Sequence, residues 1–382
     1  MMFRNLGDTY VITDADHGIE YHVSALRRER SGELIGELRV CCGIIGAKAV
    51  DGVLSEGSLN FSSVPARSQR AKLLGERARA NGKIDFLEQL EEVCQRTNAA
   101  ERTGRPGVLL RNVSPATPND LYDVHGWRFP RRHLTIPFGP GGTMKSYLTL
   151  WALGTLAQTG VHVGLCDWEL DEHEHSLREQ LLFPDNRPDI HYLRCARPLI
   201  YELPRIQQWK HKHQIEVLGL DSVAYSTAGA HEDSEAAMAW MRAFRSLDVT
   251  GIAIAHVRKD GANPAEAKKY PFGSIIWHNS ARCTWFVKDT ETAADGVKTI
   301  GLFNKKMNLS GKQPALAFAI DLQPSRTEFR RVDVRDVAEL ADSLPLWQRM
   351  REVIRRGPET LAVIANELNH RNAESLDRIV PR

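Results

Sequence analysis

The sequence lacks the features that mark membrane, secreted and strongly charged proteins. No apolar run approaches the length needed to span a bilayer, and Met1-Met2-Phe3-Arg4 does not open a signal peptide. The 6 cysteines form no C-x-x-C pair and no disulfide-like spacing, which favours a reduced compartment. The net charge is only +2, so any contact with nucleic acid has to come from local patches. These absences predict a cytoplasmic protein with no membrane partner.

The chain has 382 residues, which suggests two or three domains, and its 42% of hydrophobic residues is enough for a packed core. Residues 1–115 mix short β-like runs with a helix-like stretch from Ala66 to Arg96, which predicts a small α+β domain. Residues 116–335 alternate apolar strand-like runs with helical patterns, which predicts an α/β domain with a parallel central sheet. Residues 340–382 read as short helices.

A glycine-rich stretch with a Lys-Ser pair follows the apolar run from Leu134 to Phe138 and precedes a helical pattern from Tyr147 to Gln158. Glycines let successive backbone N–H groups approach a phosphate, and the start of a helix adds further unpaired N–H groups. We therefore predict a phosphate-binding loop for ATP. The predicted nucleotide-binding residues are Gly139, Gly141, Gly142, Thr143, Met144, Lys145, Ser146 and Tyr147.

One position of this loop departs from the usual G-x-x-x-x-G-K-[ST] pattern, because Met144 stands where the last glycine is expected. We expect Gly141 and Gly142 to supply the flexibility instead. The alternative is a glycine-rich turn in which the Lys-Ser pair has no ligand.

Polar residues end three further strands of the predicted sheet, at the edge where open parallel sheets bind ligands. Asp221 ends one strand and is the candidate Mg²⁺ carboxylate, together with the Ser146 hydroxyl; a helix-capping Asp is the alternative. Glu169 follows another strand and is the candidate general base, with Asp167 as its local competitor. His256 ends the last strand.

This ordered set resembles the RecA-like P-loop ATPase core, and it is most similar to hexameric replicative helicases of the plasmid RepA and DnaB type. The resemblance covers roughly residues 120–325. It implies that Lys145 and Ser146 hold phosphate and Mg²⁺, that Glu169 activates water, and that Asp221 supports the metal. It also implies that His256 senses the γ-phosphate.

The resemblance further implies residues that act between subunits and on DNA. Lys305, Lys306 and Arg282 lie where such proteins reach into a neighbouring subunit's nucleotide, so the active ATPase would be a ring or a filament. The segment from Arg258 to His278 occupies the place of a central DNA-binding loop, with basic residues beside aromatic ones. A solvated charged loop is the alternative.

The tail reads as three short helices, Leu346 to Arg356, Leu361 to Leu368 and Ala373 to Val380. Their turns resemble a helix-turn-helix or winged helix that would contact duplex DNA, and an oligomerisation or lid element is the alternative.

Two histidine pairs, His173 with His175 and His211 with His213, lack a third ligand at metal-binding spacing. We interpret both pairs as solvated surface.

The leading hypothesis is an ATP-driven DNA motor, a phage- or plasmid-type replicative helicase that binds single-stranded DNA in the cytoplasm of a bacterial or phage-infected cell. The alternatives are an ATP-switched DNA-binding regulator or replication initiator, and a RecA-like recombinase.

Overall fold

The computed structural model describes residues 1–5, 9–29, 31–79, 83–104, 108–115, 117, 120–230, 232–257, 270–271, 273, 275–290, 296–341, 344, 349–350, 354, 360 and 363–364. The chain forms two units, Met1–Pro115 and Ala116–Arg382, and each is described by itself.

The first unit contains a five-stranded antiparallel sheet whose order follows the chain. Its strands are β1 Met2–Asn5, β2 Tyr10–Asp14, β3 Ile19–Arg28, β4 Leu34–Cys42 and β5 Val53–Asn60. In β4 the buried residues Leu34, Leu38 and Val40 alternate with more exposed ones. This period of two buries one face of the sheet and leaves the other accessible.

Two helices complete this unit, α1 Val64–Ala78 and α2 Phe86–Thr103, followed by a short 3-10 turn at Leu110–Asn112. The sequence predicts one helical stretch from Ala66 to Arg96, and the structure breaks it. Arg79 ends α1 in a left-handed conformation, and the Asp85 side chain caps the new helix by accepting the backbone N–H groups of Leu87 and Glu88.

The second unit alternates strands with helices through most of its length. Its elements are β6 Leu121–Val124, β7 Trp127–Pro130, β8 Leu134–Gly139, α3 Lys145–Ala157, β9 Val163–Asp167, α4 Glu172–Leu182, β10 Ile190–Arg194, α5 Leu199–His213, β11 Val217–Asp221, α6 Val223–Ser226, α7 Ser234–Ser246, β12 Thr250–Ala253, β13 Ala255–His256, α8 Ile276–Ser280, β14 Cys283–Asp289, β15 Val297–Met307, β16 Leu316–Gln323, β17 Arg326–Val332, a 3-10 turn at Val334–Asp336 and α9 Ala338–Ala341.

The large sheet of this unit has the order β10-β9-β11-β12-β8-β14-β15-β16-β17, and β13 extends beside β8. The strands from β10 to β14 are parallel, whereas β14, β15, β16 and β17 pair antiparallel. The predicted α/β architecture with a parallel central sheet is therefore confirmed. The antiparallel strands β16 and β17 extend the sheet beyond the predicted elements.

Apolar clusters cover both faces of this sheet. Leu218 packs with Trp240 and Phe244 of α7 on one face, and Val217 packs with Leu148 and Leu153 of α3 on the other. Because both faces are covered, the parallel strands β9 and β11 are buried along their whole length. Continuous burial leaves the strand ends as the places where polar groups can meet a ligand.

The predicted tail of residues 340–382 falls almost entirely outside the described residues, so the helix-turn-helix interpretation and its duplex-DNA contact stay predictions.

Candidate functional site

The carboxyl edge of the parallel strands gathers the predicted site residues of this chain. In the register of the sheet Asp221 lies opposite Asp167, and His256 lies opposite Gly139. The loop from Pro140 to Met144 leaves β8 at this same edge and enters α3. The structure therefore brings together the glycine-rich loop, both acidic strand ends and His256.

Met144 itself supplies the unusual backbone conformation that the loop requires. Its φ of 60° and ψ of 20° are left-handed, and Gly142 also has a positive φ of 79°. Gly141 does not, so the expectation that Gly141 and Gly142 together replace the missing glycine is wrong in part. Met144 packs its side chain against the core beside α3, which compensates for an unfavourable conformation in a residue with a Cβ.

Gly139 is required by the neighbouring strand. A Cβ on Gly139 would lie 2.2 Å from the backbone oxygen of Val287 in β14, whereas a Cβ on Gly141 would meet nothing within 4 Å. Two of the three predicted nucleotide-binding glycines therefore have different physical roles, since Gly139 permits close strand packing and Gly141 stands in open space at the loop.

The Lys145 ammonium points back into the loop. It donates hydrogen bonds to the Gly139 oxygen at 3.1 Å, to the Pro140 oxygen at 2.6 Å and to Thr143 Oγ1 at 3.1 Å. Burial lowers the pKa of Lys145 to about 8, although the nearby carboxylates, Asp221 foremost, act in the opposite direction. The hydrogen-bond acceptors of the Lys145 ammonium within the loop are therefore all neutral oxygens. A phosphate group bound at the loop would supply the negative charge that pairs with this ammonium.

Ser146 and Asp221 form the candidate Mg²⁺ site. Asp221 is buried, and the Ser146 hydroxyl lies close enough to its carboxylate to act toward a lower pKa. Burial raises the pKa of Asp221 to about 6, and the charges of Glu169 and Asp167 act in the same direction. A hydroxyl and a carboxylate are the hard oxygen ligands that Mg²⁺ uses alongside substrate phosphates, and a cation would relieve this crowding of negative charge. The donor set therefore fits Mg²⁺.

The structure separates the two candidates for the general base. Asp167 is buried and accepts hydrogen bonds from the backbone N–H groups of Glu169 and Leu170, from His175 Nε2 and from the Tyr192 hydroxyl. Burial raises the pKa of Asp167, but these hydrogen bonds outweigh it and hold the pKa below its usual value. With every oxygen engaged, Asp167 acts as a scaffold for the turn that carries Glu169.

Glu169 is exposed at the carboxyl edge and accepts a hydrogen bond from the Ser222 hydroxyl. Its carboxylate is therefore held in place while it stays open to solvent, which suits a group that orients water. The geometry favours Glu169 over Asp167 for the base.

The two histidine pairs that the sequence places on the solvated surface are only partly exposed in the structure. His175 is buried, 3.1 Å from Asp167, and its ring lies against Tyr192, whereas His173 is exposed. His213 is half-buried and its ring centroid lies 4.1 Å from that of His191. The solvated interpretation is thus wrong for His175, because α4 turns one face toward the acidic strand end. The described residues contain no cluster of three metal-ligating side chains.

Two further predicted residues flank the loop. The half-buried His256 lies one strand from Gly139, and the backbone N–H of Val257 donates to the Gly139 oxygen at 3.3 Å. Tyr147 follows Ser146 on α3, and the guanidinium of Arg178 lies 4.8 Å from the centre of its ring. His256 is thus next to the loop through the backbone, where a sensor of loop conformation would lie.

Lys305, Lys306 and Arg282 lie at the opposite edge of the sheet from the phosphate loop. Arg282 precedes β14, and Lys306 pairs with Thr284 at the start of that strand. The Lys306 ammonium donates to the backbone oxygens of His278 and Asn279, each at 2.8 Å, and the Lys305 ammonium lies 5.6 Å from the Phe286 ring centre. Within one chain these cations do not approach Lys145, and their action on a neighbouring subunit stays a prediction.

The predicted DNA-binding loop is described only in part. Residues 258–269, 272 and 274 lie outside the described residues. Trp277, which the sequence offers as a base-stacking aromatic, is instead buried and packs edge-on against Trp240. Tyr270 is exposed, and its ring meets that of His278. Trp277 is therefore a core residue, and this part of the DNA-contact prediction is wrong.

The sequence interpretation missed three residues at the site: Ser222, Asp289 and Lys298. Lys298 Nζ lies 2.7 Å from Asp289 Oδ2 and donates to the Gly142 oxygen at 3.1 Å. Local sequence patterns give no signal for this pair, because it forms only when the antiparallel hairpin of β14 and β15 lies beside β8 and its turn returns to the carboxyl edge.

Comparisons with known proteins add little to this geometry. No protein-family model matches the chain, and no curated protein matches it significantly. A solved structure described as an ATPase domain matches 54% of this chain and 86% of its own, with 12% identity and a TM-score of 0.43. At this level of similarity it carries no weight for function. In the part of the chain that the structure describes, no helix is long and apolar enough to cross a membrane.

Proposed function

We propose that this chain is a Mg²⁺-dependent P-loop ATPase with a RecA-like core, and that it works as an ATP-driven DNA motor of the replicative-helicase kind. The observation that carries the proposal is the joint placement of Lys145, Ser146 and Asp221. A lysine buried in a glycine-rich loop is followed by a serine whose hydroxyl lies close enough to a buried strand-end carboxylate to influence its pKa. This combination provides a phosphate cradle and a cation site at one edge of the sheet.

The roles of the side chains follow from their positions. Lys145 and the N–H groups of the loop bind the β- and γ-phosphates of ATP, and Ser146 and Asp221 hold Mg²⁺. When bound, Mg²⁺ neutralises charge on the phosphate oxygens. Glu169, fixed by Ser222, orients water and accepts its proton. His256 lies beside Gly139, where it senses the occupancy of the loop.

The motor component of the proposal depends on the opposite edge of the sheet. Lys305, Lys306 and Arg282 are remote from Lys145 in the same chain, so any nucleotide they act on belongs to a neighbouring subunit. A ring, such as a hexamer, or a filament completes each site in this way, and single-stranded DNA is the substrate along which it moves. A DNA-binding regulator or a recombinase would use the same ATP site, so ATP hydrolysis alone does not separate these functions.

The first test is Mg²⁺-dependent ATP hydrolysis by the wild-type chain, by Lys145→Ala and by Lys72→Ala. Lys72 is an exposed lysine of the first unit and serves as the matched control. We expect Lys145→Ala to lower the rate on the order of 100-fold or more, because a fixed cation at the phosphates is lost, while Lys72→Ala retains the wild-type rate. Equal rates for Lys145→Ala and the wild type would contradict the proposal.

A further inference from the structure

Lys298 connects the start of β15 to the phosphate loop. Its ammonium donates to the Gly142 oxygen at 3.1 Å across a separation of 156 residues, and it forms an ion pair with Asp289 at 2.7 Å. The side chains of the two partners are only 17% and 28% exposed, so water screens the pair weakly. The Lys298 ammonium is therefore held between two acceptors at the loop.

The position of the contact on the loop gives it a chemical consequence. The Gly142 carbonyl and the Thr143 N–H belong to one peptide group, and the N–H groups of such a loop are its phosphate donors. A cation on the carbonyl oxygen polarises the peptide and makes the N–H a stronger donor. The same contact holds Gly142 in its left-handed conformation, with a φ of 79°. Lys298 therefore acts on the face of the loop that the phosphates do not occupy.

Asp289 ties this arrangement to the core of the site. It ends β14, the strand that packs beside β8, and its charge also acts on Lys145. The carboxylate thus holds Lys298 against the loop and contributes to the field at Lys145.

We infer that Lys298 is a positioning residue for nucleotide binding: held by Asp289, it braces the Gly142–Thr143 peptide so that the loop is preorganised for the phosphates of a nucleoside di- or triphosphate. The inference rests on the proposed ATP site and deepens it. A preorganised loop loses less conformational entropy when the nucleotide binds. The contact from Lys298 should therefore affect the affinity for nucleotide more than the rate of the chemical step.

The test measures the binding of a fluorescent ADP and of a non-hydrolysable ATP analogue to the full chain and to Lys298→Met, Lys298→Arg and Lys288→Met. Lys288 lies on the same hairpin, but its ammonium contacts the backbone oxygen of Glu339, so it is the matched control. We expect Lys298→Met to raise Kd roughly 10- to 100-fold, the effect of losing a charge-assisted hydrogen bond. Lys298→Arg keeps the charge and should restore binding to within about threefold, and Lys288→Met should bind like the wild type.

Two further measurements separate bracing from general damage. The thermal midpoints of the variants should stay close to that of the wild type, and KM for ATP should rise in Lys298→Met while kcat changes less than about threefold. If Lys298→Met does not fold, Lys298→Gln provides a second neutral variant. If the wild type binds nucleotide and the folded neutral variant binds it equally well, the inference about Lys298 is wrong, but the proposed function is not affected. A wild-type chain that binds no nucleotide would overturn the proposed function as well.

Discussion

The Ser222 hydroxyl donates a hydrogen bond to the Glu169 carboxylate and so joins the ends of two neighbouring parallel strands, β9 and β11. The backbone of Glu169 is fixed as well, because its N–H donates to Asp167 at 3.0 Å. The candidate base is therefore positioned at both its backbone and its carboxylate. Such positioning matters for a group that must place water accurately.

We expect Ser222→Ala to lower kcat for ATP hydrolysis by roughly 10- to 100-fold and to leave KM nearly unchanged, because Glu169 loses its orientation but the phosphate loop is intact. Steady-state kinetics at saturating ATP measure the effect. Ser226→Ala, which removes a buried hydroxyl of α6 that contacts Trp240, is the matched control for damage to the same region. Unchanged kcat in Ser222→Ala would argue against Glu169 as the base.

Gly139 at the end of β8 and Gly141 in the loop should respond differently to an added methyl group. A Cβ on Gly139 would lie 2.2 Å from the backbone oxygen of Val287, while a Cβ on Gly141 would stand in open space. We expect Gly139→Ala to reduce the free energy of unfolding by about 1–3 kcal/mol and Gly141→Ala to change it by less than about 0.5 kcal/mol. Urea unfolding of both variants measures the difference, and equal losses would show that β14 does not pack against Gly139 in this way.

The titration of Lys145 predicts a pH dependence of stability. Burial lowers the pKa of this ammonium in the folded, nucleotide-free chain from its ordinary 10.5 to about 8. Between these two values the unfolded chain binds more protons than the folded one, so the contribution of Lys145 to the free energy of unfolding rises with pH in this window. We expect the wild type to gain stability relative to Lys145→Met as pH increases from about 8 to about 10. A stability difference that stays constant, or falls, over this range would contradict the enclosed position of the ammonium.

Mixing of inactive variants tests action between subunits. Lys145→Ala lacks the phosphate-binding lysine, and Lys306→Ala lacks a candidate cation at the other edge of the sheet. In a mixed assembly, a Lys306→Ala subunit has an intact Lys145, and a neighbouring Lys145→Ala subunit can place its intact Lys306 at that nucleotide. We therefore expect the ATPase activity of the mixture to exceed that of either variant alone. The same mixture with Lys305→Ala or Arg282→Ala in place of Lys306→Ala identifies which cation acts.

A double variant provides the control for this mixing. Lys145→Ala mixed with Lys145→Ala/Lys306→Ala contains no intact phosphate site, so it should recover nothing. If Lys305→Ala, Lys306→Ala and Arg282→Ala each have wild-type ATPase activity, these three residues do not act between subunits.

The sequence predicts the parallel sheet and its acidic strand ends well, for a physical reason. Strands such as β9 and β11 are covered on both faces, so they appear as continuous apolar runs that stop at Asp167 and Asp221. The edge strand β17 is mostly exposed, with Thr327 its one buried residue, and its charged composition gives a weaker apolar pattern. The break between α1 and α2 depends on the left-handed Arg79 and on the cap at Asp85, and hydrophobic periodicity detects neither of them.

The contacts that complete the site are the least predictable from sequence. Lys298 meets Gly142 only because β14 places its hairpin beside β8, a consequence of register that local patterns do not contain. An aromatic residue in a basic segment, as Trp277 is, is typical of a nucleic-acid contact. In the structure, however, Trp277 packs against Trp240 in the core. Met144 adopts the conformation of the expected glycine because tertiary packing overrides its local preference.

The measurement that tests the motor most directly is the ATPase rate with and without single-stranded DNA, for the wild type, Lys145→Ala and Lys306→Ala. An assembly that moves along DNA should hydrolyse ATP faster when DNA is bound, and either substitution should abolish the stimulation. An ATPase rate that does not change when single-stranded DNA is added, and that Lys306→Ala does not alter, would contradict the DNA-motor hypothesis. An ATP-switched regulator would then be the better explanation.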